Sequence, residues 1–231
     1  MITFIGDSYC AGDHDTSYAT QLGKNLNMPV IQLAASGCSW WSARVKMLDA
    51  LKRGLLKETK IVVFAHTESG RIHEPTGLPM NSSNVDHAKA DPNFPNQELY
   101  EAGRLYFKHL HNKEFAVWSQ QQWFNECVTY FDPSIYIIHM HSFPWDIHSF
   151  TSARDLDIRT GLYAISSGEY STDDEHLASI KGGDMRPNHM NNANNFALAT
   201  ILTNYVKNKT VGQVKLSSSD FQLKTKTLFF E

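Results

Sequence analysis

Five short polar clusters carry the side chains with which this sequence could do chemistry: Gly6-Asp7-Ser8, Ser36-Gly37-Cys38-Ser39, His66-Thr67-Glu68-Ser69, His141-Ser142, and the stretch GGDMRPNHMNN that contains His189. Hydroxyl, imidazole and carboxylate groups are the set used in nucleophilic catalysis, where a serine is a weak nucleophile until a base takes its proton. A second chemistry is also written here. His139 and His141 have strand spacing that points both rings the same way, His148 is near, and His109 and His111 alternate likewise, as a metal site requires. With 11 histidines such spacings arise easily, and no HExxH or paired-cysteine pattern accompanies them. No metal is therefore expected, and His141 reads as a pocket wall. Cys10 and Cys38 read as walls too, rather than as nucleophiles.

Something must bring these clusters together. Four apolar runs, MITFIG (1–6), PVIQLAA (29–35), KIVVFAH (60–66) and SIYIIHM (134–140), lack strict alternation, as strands covered on both faces do. Between them, Tyr18, Leu22 and Leu26 mark one helix. Val45, Leu48, Lys52 and Leu55 mark another, with Ser39 or Ser42 as its cap. The zone 97–131 is helical, as one bent helix or two. A last helix follows His189, with Ala193, Ala197, Ile201 and Tyr205 as its buried stripe. Strand alternating with helix predicts a three-layer α/β/α fold with a doubly wound, mostly parallel sheet, flavodoxin-like in class. Each polar cluster except the last directly follows a strand. Ligands bind beyond the carboxyl ends of such strands, and His189 can reach the same edge.

The order of these blocks resembles the SGNH (GDSL-type) hydrolases. FIGDSYCAG is similar to their first block, Gly37 in AASGCSW to the glycine of their second, and His189 with MNNANNFALATIL to their C-terminal histidine and its helix. The resemblance implies Ser8 as nucleophile, His189 as base and Asp184 as the acid that orients the imidazole. It also implies that the backbone N–H groups of Ser8 and Gly37 bind the oxyanion. Two departures are visible. His66-Thr67-Glu68-Ser69 stands where the family has an asparagine-bearing block, which makes Thr67 and Glu68 the candidate binding groups there. Arg186 stands three residues before His189, so the nearest acid, Asp184, is five away. The implied reaction is ester hydrolysis through an acyl-enzyme. The alternative is a catalytically weak or silent member that binds a ligand or partner in the old pocket; a metal-dependent phosphoesterase on the histidine pair is a third option. Tyr9, Trp40 and Arg71 join His141 as substrate-pocket candidates, and the aromatics, with Trp41 and Trp145, favour a small or O-acetyl ester on a carbohydrate over a long-chain lipid.

Composition narrows the rest. At 231 residues with 42% hydrophobic content, the chain suits one domain with a full core. We read 1–210 as that domain, with 67–96, rich in proline and poor in periodicity, as a rim or lid. Residues 142–188 read as irregular, with a short strand near GLYAIS. The tail 211–231 is β-prone and could add an edge strand, dock on the body or pair two subunits into a homo-oligomer. A net charge of −3 disfavours nucleic acid. No apolar run approaches the ~20 residues of a membrane span. The N-terminal MITFIGDSYC lacks a basic segment and a cleavage site, and three cysteines do not make a disulfide framework, so a cytoplasmic protein without cofactors is expected. The compact format and the HTESGR variation resemble hydrolase-like proteins encoded by bacteriophages, for which the cytoplasm would be the host's.

Overall fold

The computed structural model describes residues 1–11, 15–73, 80–82, 85, 96–144, 154–169 and 190–223. Among these residues six parallel strands form one sheet in the order β2-β1-β3-β4-β5-β6. They are β1 (Ile2–Gly6), β2 (Val30–Gln32), β3 (Ile61–His66), β4 (Tyr136–His141), β5 (Asp155–Gly161) and β6 (Gly212–Val214). The α-helices among the described residues are α1 (Tyr18–Leu26), α2 (Trp40–Lys52), α3 (Gln97–His109), α4 (Lys113–Cys127), α5 (Leu162–Glu169) and α6 (Asn192–Lys207). Because β1, β3 and β4 are buried on both faces, their sequences run apolar without alternation.

Alternate residues of these strands feed two cores. Ile2, Phe4, Ile61, Val63, Ile138, Met140, Leu156 and Ile158 meet Tyr18 and Leu22 of α1, Ile165 of α5, and Leu198 and Leu202 of α6. On the opposite face Ile5, Val62, Phe64 and Ile137 meet Ala43, Met47 and Ala50 of α2 and Trp123, Phe124 and Cys127 of α4. The molecule is thus the expected three-layer α/β/α fold. A smaller cluster of Met80, Val85 and Tyr100, with Leu99 and Phe107 against it, seats α3.

Several local expectations are corrected. The buried face of α2 is Ala43-Met47-Ala50, while Val45 and Leu55 are exposed, since the small alanines let the helix approach the sheet. In α6 the buried positions, Asn194, Asn195, Leu198, Ala199, Leu202 and Thr203, lie one or two residues on from the expected stripe, of which Ala197, Ile201 and Tyr205 flank them. The zone 97–131 is two helices, separated where Asn112 turns to cap α4 by accepting from the Phe115 N–H at 2.9 Å. GLYAIS holds no separate strand: Gly161 ends β5 and Leu162 begins α5. The strand missed upstream of it is β5 itself, whose sequence DLDIRTG has three charged residues in seven. Within the tail, β6 pairs parallel with β5 at the sheet edge. Residues 224–231 lie outside the described residues.

Candidate active site

Strand order reverses at β1, which has β2 on one side and β3 on the other, so a crevice opens beyond their carboxyl ends. Gly6 ends β1 with φ +150°, and a Cβ there would fall 2.2 Å from the Ala65 carbonyl oxygen. Only glycine lets β1 and β3 approach so closely before the chain turns. Asp7 then enters the interior with no exposed surface. Its Oδ1 accepts from the Tyr9 N–H at 3.0 Å and from the Ser142 hydroxyl at 2.8 Å, and its carbonyl closes the turn by accepting from the Cys10 N–H at 3.2 Å. A buried carboxylate thus clamps the loop on both sides of Ser8, which is left half-exposed.

The second loop approaches from β2. The Ala35 N–H donates to the Gly6 carbonyl at 3.2 Å, the Cys38 N–H to the Ala35 carbonyl at 3.1 Å, and Gly37 sits between them at φ +69°, a left-handed angle that glycine takes without strain. Ser39 caps α2 by accepting from the Ser42 N–H. Trp40 follows, half-buried and edge-on to Trp41. With Gly6, Ser39, His66 and Thr67 it borders a small cavity of about 10 Å³.

The third and fourth loops are tied by Arg71. Its Nε lies 3.4 Å from Glu68 Oε2, which also accepts from the Asn81 amide at 3.0 Å. The guanidinium rests 5.4 Å from the centre of the Phe143 ring, and Phe143 meets Tyr9 edge-on at 5.8 Å. Glu68 therefore acts as an acceptor. Thr67 is buried, and its carbonyl takes the Gln120 amide at 2.9 Å. Tyr9 is nearly buried, its hydroxyl 3.3 Å from Ser166 Oγ.

Beneath the third and fourth loops runs a ladder of ionisable side chains, all buried against α4. His66 Nε2 and His139 Nδ1 are 2.9 Å apart, His139 Nε2 lies 3.5 Å from Asp155 Oδ2, and His141 Nε2 lies 3.1 Å from Asp157 Oδ1. His141 has no exposed surface. The pair His139 and His141 does share a face, and each ring meets an aspartate of β5. No group of three or more His, Cys, Asp or Glu side chains among the described residues could hold a metal ion.

Ser8, Gly37, Thr67, Glu68 and Arg71 thus gather at one sheet edge, with Tyr9 and Trp40 set into its walls. His189, Asp184 and Trp145 lie outside the described residues. Met190, the residue after His189, is buried, and its carbonyl accepts from the Asn195 amide at 2.8 Å; Asn195 Oδ1 in turn accepts from the Tyr18 N–H at 3.0 Å. The sequence places Ser142 in the cluster after β4 but does not show its bond to Asp7, and Phe143 is a site residue that sequence reasoning missed, although its position after β4 was the available signal. Burial raises the Cys10 thiol well above its ordinary range, with the Asp7 charge adding to it, and burial raises Cys38 as well. Both stay protonated, which disfavours either as a nucleophile. Among the described residues no helix is long and apolar enough to cross a membrane. No protein-family model matches this sequence, and no curated protein matches it.

Proposed function

We propose that this protein is an SGNH-like serine esterase that removes a small acyl or O-acetyl group, in the favoured case from a carbohydrate. The observation that carries the reading is the Asp7 clamp, which holds a half-exposed serine at the carboxyl edge of β1 beside a left-handed glycine turn. In this scheme His189 takes the Ser8 proton as the hydroxyl attacks the ester carbon, and Asp184 steadies the resulting imidazolium. The tetrahedral oxyanion takes hydrogen bonds from the Ser8 and Gly37 N–H groups, each worth ~3 kcal/mol in such sites. The imidazolium then protonates the leaving alkoxide, and water, deprotonated by the same base, releases the acid and restores Ser8. Anchoring of Met190 beside α1 supports delivery of His189 to this edge. Three buried, unpaired thiols suit a reducing, cytoplasmic setting.

The test is Ser8→Ala. Turnover of p-nitrophenyl acetate should fall by at least ~10³-fold with an unchanged circular dichroism spectrum, and a fluorophosphonate should label native protein at Ser8 alone. Undiminished turnover in the variant would sink the proposal. A second reading, a binding module on the same edge, is favoured by one observation: Glu68, already accepting from Arg71 and Asn81, offers no donor to an oxyanion. Native protein that resists the fluorophosphonate yet is fully folded would support it.

A further inference from the structure

Next to the Ser8 edge lies a cleft of about 190 Å³, lined by Glu68, Ser69, Asn81, Phe107, His111 and Lys113 among others. Its volume is below the ~300–1,000 Å³ of drug-sized sites and suits one sugar ring. The lining mixes chemistries. The Glu68 carboxylate and Asn81 amide are fixed by their own bond at 3.0 Å, and the Glu68 charge is offset by Arg71 at 3.4 Å. A braced carboxylate beside an amide and the Ser69 hydroxyl can accept from and donate to neighbouring hydroxyls of a ligand. Lys113 adds an exposed cation, and the half-exposed His111 packs 5.3 Å from Phe107. Phe107 is only partly buried and adds apolar surface to the lining.

We propose that this cleft binds a sugar ring carrying an anionic group, with hydroxyls toward Glu68 and Asn81 and the anion toward Lys113 and His111. An anionic substituent gives Lys113 an ion-pair partner that a neutral sugar does not, and a bare anion meets the Glu68 carboxylate. Arg71 spans the two regions, bonded to Glu68 on the cleft side and packed on Phe143 on the Ser8 side. Under the esterase reading, on which only this last role rests, the cleft holds the acceptor sugar whose ester reaches Ser8.

Calorimetric titration with glucuronate, glucose 6-phosphate and glucose at low salt tests the proposal. One of the two anionic sugars should bind about tenfold more tightly than glucose, and which one does so identifies the anion as carboxylate or phosphate. Lys113→Ala should abolish that preference. Asn81→Ala should weaken all three sugars about tenfold, with His111→Ala as a second cleft variant at a half-exposed position. Ser8→Ala should bind as the native protein does. Absence of binding by all three at millimolar concentration, equal binding of glucose, or unchanged binding in the cleft variants would overturn the proposal. Esterase activity without sugar binding sinks this inference alone, and sugar binding without esterase activity sinks only the reading of Ser8.

Discussion

Asp7 and Ser142 meet across 135 positions of sequence in a site closed to water. Ser142→Ala leaves one acceptor of a buried carboxylate short of a donor, at a cost of about 1–3 kcal/mol. Urea denaturation should report that loss, and acetate-ester turnover should fall with it because the loop bearing Ser8 loses one of its two ties. Tyr136 gives a pH-dependent test. Its hydroxyl donates to the Thr210 carbonyl, and burial pushes the phenol up to about 12 from an ordinary 10.0. The native state then keeps a proton that the unfolded chain releases, so this residue's contribution is complete below roughly pH 10 and fades as pH rises toward 12. Tyr136→Phe should show a shallower alkaline loss of stability than the native protein. At this scale the sequence made the placement of Ser8 and Gly37 at strand ends legible, because each lies within two residues of the end of an apolar run. Ser142 was legible as part of the cluster after β4, but its role was not, because that depends on Asp7, a partner no local pattern names.

Strands β4 and β5 are joined by more than backbone. His139 and His141 face Asp155 and Asp157 on the α4 side of the sheet, and Arg159 reaches Asp157 at 3.5 Å. Asp157→Ala removes one partner of a buried polar pair and should cost about 1–3 kcal/mol, measurable as a lower urea midpoint at constant slope. These pairs also explain why β5 escaped the reading of elements. A segment with Asp, Asp and Arg at alternate positions looks solvated, and only the histidines of the neighbouring strand make it an interior one. The apolar strands needed no such partner and were legible at once. Helix faces were harder. The burial of α2 rests on alanines, which a search for large apolar residues passes over. At the end of β1, Gly6→Ala would drive a methyl group into the Ala65 carbonyl. It should lower both stability and ester turnover, by separating β1 from β3 just below Ser8.

Across the whole molecule all three cysteines are buried and unpaired. Burial raises Cys127 as it does Cys10 and Cys38, so thiolate is scarce and access is closed. A chromogenic disulfide reagent at mildly alkaline pH should find no fast-reacting thiol in native protein and all three after denaturation; rapid reaction of one in the folded state would contradict this packing. Strand order has a consequence for biosynthesis. β1 is flanked by β2 and β3, both made within the first 66 residues, and β4, β5 and β6 then add in sequence along one direction. A nascent chain leaving the ribosome can therefore extend the sheet one strand at a time, never prising apart a pair already formed.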